Sequence, residues 1–315
     1  MKADCSIERY LELEKPRKRA VLKIQSEIMY LVRKFFKEKG FLEVRAPIFE
    51  PFTDPGIRGA KFFGIDFYGK TYTLMSALTI HKPLLATHLG KIFSFCPCAR
   101  REPEISRHSK RHLAEFYQIE AEMPERSYED AMKVAEELLA FVISEIKDRC
   151  ESELRVLKRE IRTPKLPFKR LTHREAVDLS KKMGYEAFYD KELPWEAERA
   201  ISMRFSEPFF IKQYPKDSRG FYDKEGKDFL LSFDMLYPEG LGEASSGSER
   251  EFEYKKVLDK LKRAGDVEKF ELYLQIMKRG VKPTSGFGIG LERLTRFICG
   301  LEDIKEAAPF SKSPG

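Results

Sequence analysis

Between Cys98 and Met123 the chain reads CARREPEISRHSKRHLAEFYQIEAEM, a short stretch dense in cations, carboxylates and imidazoles around one phenylalanine. Read as a β-hairpin, one strand ends near Glu102, a charged loop runs from Pro103 to Lys110, and a second strand starts at Arg111. Successive strand side chains point to opposite faces. His112, Phe116, Gln118, Glu120 and Glu122 then share one face, and Arg100 and Glu102 share one on the partner strand. A guanidinium can grip a phosphate oxygen, an aromatic face can stack on a purine, and a carboxylate can accept from an exocyclic amine. The hairpin is a candidate nucleotide site built on a sheet. A solvated, charged sheet face is the bland alternative.

Two further segments weigh against that alternative. Gly286 to Arg293 reads GFGIGLER and runs into LTRFICGL, a predicted helix. Alternating glycines let backbone approach backbone or ligand closely, and the helix start can carry Arg293 to the end of a phosphate chain. The spacing is not that of the dinucleotide fingerprint, and by itself it points to close packing of a helix on a sheet. Phe233 to Glu251, FDMLYPEGLGEASSGSERE, supplies Asp234, Glu243, Ser246 and Arg250. Hard oxygen ligands of this kind suit Mg²⁺, which takes a few carboxylates together with nucleotide phosphates.

Taken together, ARRE, RHLAEFYQIEAE, EASSGSERE and GFGIGLER resemble motifs 2 and 3 of the class II aminoacyl-tRNA synthetases, in their aspartyl/asparaginyl branch. The resemblance implies an α+β fold, an antiparallel sheet flanked by helices. It implies that Arg100 holds the α-phosphate of ATP, Glu102 the adenine amine, and His112 and Arg293 the γ-phosphate. Phe116 would stack on adenine, and Gly290 would border the nucleotide beside Arg293. Arg100 and Arg101 are both open as the phosphate ligand, with R-x-E spacing favouring Arg100. Asp234, Glu243 and Ser246 would hold Mg²⁺. Arg250 and Gln118 would meet the amino acid. Ser76 begins SALTIHK where the branch has an amino-acid-binding strand, and either His81 or Lys82 could take the part of its lysine. IRGA, at residues 57–60, stands where the branch meets the α-amino group.

The elements that must position these groups are legible in the pattern. Apolar residues recur at three- and four-residue steps from Arg17 to Lys39, which predicts an amphipathic helix stopped by Gly40. FLEVRAPIFEP follows as a strand closed by Pro47. This order resembles motif 1, the family's dimer interface, so a homodimer is implied. Residues 127–160 and 255–279 read as helical. From Thr163 to Tyr222 the segments PFKRLTHREAV, YDKELPWEAER, PFFIKQYP and RGFYDKEG are expected mainly to position the core.

Composition sets the outer bounds. The 315 residues, 42% hydrophobic, suffice for one large core. Neither a membrane-length apolar run nor a secretory leader is present, giving a cytoplasmic expectation. The net charge of +7 mixes both signs throughout, weak support for nucleic-acid binding. Five cysteines, Cys96 and Cys98 among them, lack zinc spacing and read as reduced structural thiols. Asparagine is absent and glutamine occurs four times, the bias of heat-adapted proteins.

About sixteen residues precede the first helix, where the branch carries an OB-fold that reads the anticodon. The expectation is therefore a single catalytic domain over residues 1–315 without an anticodon-binding domain, for which tRNA is an unlikely partner. On this reading the chain is an asparagine synthetase: ATP and aspartate form an aspartyl-adenylate, and ammonia converts it to asparagine, AMP and pyrophosphate. The alternatives are a truncated adenylate former acting on tRNA or a protein, and an inactive nucleotide-binding paralogue.

Overall fold

The computed structural model describes residues 7–55, 61–103, 106, 109–312 and 314. The IRGA stretch at residues 57–60 lies outside them. In chain order the strands are β1 (Leu42–Glu43), β2 (Phe49–Glu50), β3 (Gly64–Phe67), β4 (Lys70–Leu74), β5 (Ile92–Ala99), β6 (Glu115–Pro124), β7 (Lys169–Thr172), β8 (Phe209–Lys212), β9 (Ser232–Tyr237), β10 (Gly242–Glu249) and β11 (Thr284–Gly290). Eight of them form one sheet in the order β1-β5-β6-β11-β10-β9-β8-β7, and β2, β4 and β3 form a second. The six central strands of the large sheet are antiparallel, as expected. Its two edges pair in parallel, β1 with β5 and β7 with β8.

One face of the large sheet is apolar and helix-covered, while the other carries the polar groups. Along β6, Ile119, Ala121 and Met123 enter the main core, and the intervening Phe116, Gln118 and Glu120 line an open cleft. On β11, Phe287 and Ile289 are core residues, and Gly288 and Gly290 face the cleft. The period of two thus separates packing from chemistry on the same strands.

Three helices close the apolar face. Pro16–Glu38 buries Val21, Ile24, Ile28, Leu31, Val32, Phe35 and Phe36. Pro16 suits its first turn, where an N–H would have no helical partner, and Gly40 at φ +73° turns the chain away. Tyr128–Arg149 starts with a reciprocal capping box between Ser127 and Asp130. Leu291–Cys299 buries Leu294, Phe297 and Ile298 in the same core. No helix of the described residues is long and apolar enough to cross a membrane.

Two elements differ from their expected form. The strand before Pro47 shrinks to Leu42–Glu43 plus one more backbone bond, Val44 N to Phe93 O at 2.9 Å. Pro47 has no N–H to extend the ladder, and the chain re-enters a sheet only as β2. The hairpin, too, opens earlier than predicted, β5 ending at Ala99 and β6 starting at Glu115. Arg100 N still reaches Ala114 O at 2.9 Å, but Arg101 pairs with Lys61 and Ala114 N donates to Lys312 O at 2.7 Å. These outside partners replace the missing rungs.

Candidate active site

The cleft has a volume of about 190 Å³. Arg100, Glu102, His112, Phe116, Gln118, Lys82, Asp234, Glu243, Ser246, Arg250, Gly290 and Arg293 all line it. Ser76 and His81 do not. The Ser76 hydroxyl is buried against Thr53 Oγ1 at 3.0 Å and Asp54 O at 2.7 Å. Its contribution is a carbonyl: Ser76 O accepts from Arg100 Nε at 2.9 Å and aims the guanidinium, whose centre lies 5.1 Å from the Phe116 ring. Arg101 is exposed and engaged in the Lys61 bridge, so Arg100 is the cation of this pair that enters the cleft.

His81 and Lys82 diverge at a helix start. His81 precedes the Lys82–Leu89 helix and stacks on Phe52, with ring centroids 4.7 Å apart and planes 6° apart. Burial lowers its pKa to about 4, opposed by nearby Asp54. Lys82 points the other way: its ammonium lies 2.7 Å from Glu120, 3.5 Å from Glu122 and 2.9 Å from the Phe287 carbonyl. Arg250 completes this buried network, donating to Glu122 through Nε at 3.1 Å and Nη2 at 3.3 Å. It also donates to Ser248 at 2.7 Å, whose hydroxyl bonds Asp223. Burial opposes the Arg250 charge, yet Glu122 and Asp223 outweigh it and hold its pKa above the ordinary value.

The glycines of β11 make this network possible. A Cβ on Gly286 would stand 2.0 Å from Glu122 Oε2 and 2.2 Å from Ala121 O, and one on Gly288 would stand 2.9 Å from Glu120 Oε2. The GxGxG pattern therefore clears space for the two carboxylates of β6. Beyond it, Gly290 passes the chain into the Leu291–Cys299 helix, and Arg293 in its first turn approaches Glu243 Oε1 at 3.3 Å.

A bulge sets the far wall. The β9–β10 register shifts between Glu243 and Ser245, so Ala244 is an extra residue in β10. Without the bulge, Glu243 and Ser246, three residues apart, would face opposite sides. With it, Ser246 Oγ lies 2.6 Å from Asp234 Oδ1 and 3.1 Å from Glu243 Oε1.

The expected Mg²⁺ donor set is only partly available. Asp234 Oδ1 accepts from Arg219 Nη1 at 2.9 Å and from Ser246; Oδ2 accepts from Arg219 Nη2 at 2.5 Å and from the Tyr214 hydroxyl at 2.8 Å. A carboxylate has about four lone-pair positions, and these donors fill them. The assignment of Asp234 as a metal ligand does not fit this arrangement. No cluster of three or more His, Cys, Asp or Glu groups placed to hold a metal occurs among the described residues.

Sequence reasoning passed over several groups here. RGFYDKEG and YDKELPWEAER do more than position the core, since Glu192, Arg219, Tyr222 and Asp223 all line the cleft. Arg111, too, is a buried lining residue, paired with Glu198 at 3.1 Å and lying 3.9 Å from the Trp195 ring centroid. Glu292 lines the cleft, accepts from Tyr117 N at 3.0 Å and has its pKa raised to about 7 by burial. An aromatic-flanked arginine in RGFY was a visible signal for the first group. Nothing in the local pattern marked Glu292 as buried.

Residues 5–314 match the family described as tRNA synthetases class II (D, K and N). The asparagine–tRNA ligase of Pelotomaculum thermopropionicum is 35% identical over 313 residues, covering 96% of this chain and 71% of that relative. The aspartate–tRNA(Asp/Asn) ligase of Methanopyrus kandleri is 34% identical over 308 residues, 96% of this chain and 70% of its own length. Among solved structures, asparaginyl-tRNA synthetase from Pyrococcus horikoshii complexed with asparaginyl-adenylate superposes with a TM-score of 0.91 at 31% identity, covering 98% of this chain and 71% of that one.

These findings correct two expectations. The relatives are tRNA ligases, which overturns the reading of the chain as a free, ammonia-dependent asparagine synthetase. They equally overturn the expectation that tRNA is an unlikely partner. The fold, the match across nearly the whole sequence and these relatives agree, and the chain belongs to the class II tRNA synthetase family (D, K and N), whose ATP-dependent, AMP-forming enzymes generate adenylates.

Proposed function

We propose that this chain activates aspartate or asparagine with ATP, releasing pyrophosphate, and transfers the aminoacyl group to tRNA. The observation that carries the reading is the convergence of Arg100, Phe116, Arg293 and Arg250 on one cleft. In this arrangement Phe116 stacks the adenine and Arg100 sits at the α-phosphate, where charge develops as the amino acid's α-carboxylate attacks. Arg293, with His112, receives the leaving pyrophosphate. Arg250 and Gln118 face the amino-acid side chain, with Lys82 balancing the carboxylates of β6 beneath it. A divalent cation on Glu243 and Ser246 would neutralise phosphate charge. Support for the acceptor comes from the relatives, which are named as asparagine–tRNA and aspartate–tRNA ligases.

The test is ATP–pyrophosphate exchange with aspartate and asparagine separately, followed by acylation of unfractionated tRNA with whichever amino acid exchanges. Exchange with either, and label recovered in tRNA, is the expected outcome. Exchange without label in tRNA would refute the acceptor, and absence of exchange with both would refute the activation step.

A further inference from the structure

Asp234 and Glu243 sit on adjacent strands around one serine hydroxyl, yet they are held very differently. Asp234 is 2% exposed, and its four acceptor positions take two bonds from Arg219, one from Tyr214 and one from Ser246. Arg219 has little freedom to leave. Its guanidinium lies 3.5 Å from the Tyr214 ring centroid, and its Nε lies 2.7 Å from Glu192 Oε1. Moving it away would take from the buried Asp234 carboxylate the cation it is paired with. Glu243, by contrast, has a side chain 23% exposed, and its contacts include Ser246 Oγ at 3.1 Å and Arg293 Nη1 at 3.3 Å.

We infer that Arg219 stands in for a metal ion on Asp234, so that a divalent cation entering the cleft with nucleotide is held through Glu243 and not through Asp234. A guanidinium suits this place because it matches a carboxylate through two parallel N–H bonds. Mg²⁺ demands a near-octahedral set of oxygens at short range, and a carboxylate whose lone pairs are already used contributes none. The inference builds on the nucleotide-activating reading, but it concerns a contact inside the apo protein that can be examined without catalysis.

The experiment is a titration of the full chain with Mn²⁺ followed by electron paramagnetic resonance, alone and with α,β-methylene-ATP. Wild type, Asp234→Asn, Glu243→Gln and Arg219→Met are compared, each checked for folding by circular dichroism. Asp234→Asn should leave Mn²⁺ affinity unchanged, whereas Glu243→Gln should weaken it by about tenfold or more. Arg219→Met should gain an ion that disappears again in the Arg219→Met/Asp234→Asn double variant. If Asp234→Asn weakens Mn²⁺ binding as much as Glu243→Gln does, Asp234 is a ligand and the inference fails. It also fails if folded Arg219→Met gains no Asp234-dependent ion. Should Arg219→Met not fold, the Asp234→Asn and Glu243→Gln comparison decides. Absence of analogue binding would count against the nucleotide reading alone, because the titration without nucleotide still reports on Asp234.

Discussion

The Tyr117 amide lies 3.0 Å from a carboxylate oxygen of Glu292, so the strand that carries Phe116 and Gln118 is tied directly to the helix that carries Arg293. Burial of Glu292 raises its pKa to about 7, with the Tyr117 bond opposing the shift. A carboxyl group whose folded pKa is raised favours folding below its unfolded pKa, and that contribution is lost as pH rises through the folded value. Relative to Glu292→Gln, the wild type should lose on the order of 3 kcal/mol between about pH 4.5 and pH 7. Urea midpoints at several pH values check this, and parallel profiles for the two proteins would show that Glu292 does not titrate there.

Arg100→Ala should lower the rate of amino-acid-dependent ATP–pyrophosphate exchange by about 10²–10³. The guanidinium is aimed into the cleft by the Ser76 carbonyl, whereas Arg101 beside it is exposed, its backbone paired with that of Lys61. Unchanged exchange would remove Arg100 from the α-phosphate.

Phe116→Ala is expected to act on nucleotide affinity more than on turnover, weakening ATP binding by about tenfold through loss of ring stacking. Fluorescence competition with an adenine nucleotide measures it. A variant that binds ATP normally but exchanges slowly would place the ring elsewhere in the reaction.

Lys82→Met should destabilise the fold by roughly 3–5 kcal/mol, because it takes the paired ammonium from buried Glu120 and leaves Glu122 to Arg250. Urea unfolding of the variant beside wild type measures the loss, and equal midpoints would show that the Lys82 pairing does not carry it.

Gly286→Ala brings a methyl against Glu122 Oε2 and the fixed Ala121 carbonyl. Overpacking of this kind typically costs about 1–3 kcal/mol, and the buried Glu122 pairing with Arg250 should loosen with it. Wild-type stability in denaturant would refute the close approach.

How much of this was legible depended on how local each relation is. The two faces of β6 follow from alternation alone, so Phe116, Gln118, Glu120 and Glu122 could be grouped from the text of one strand. The same argument extended the strand to Arg111 and failed there, because Lys61 and Lys312 supply the competing backbone partners from far along the chain. His81 and Lys82 could not be ordered by pattern, since their directions diverge only where the helix beginning at Lys82 sets the turn. Asp234 looked like a metal ligand because acidic residues near a serine suit Mg²⁺. Its occupation by Arg219 requires a residue fifteen positions away in sequence to return beneath β9, and no periodicity encodes that return.

The bulge at Ala244 makes the far wall of the cleft a matter of residue count. Glu243 and Ser246 stand three residues apart, and drawing this stretch into regular alternation at that spacing would rotate Glu243 to the opposite face of the sheet and dissolve its meeting with Ser246 and Arg293. In a comparison of related sequences, a change of one residue between Glu243 and Ser246 should therefore come with gain or loss of the bulge, because only the two together keep the pair on one face.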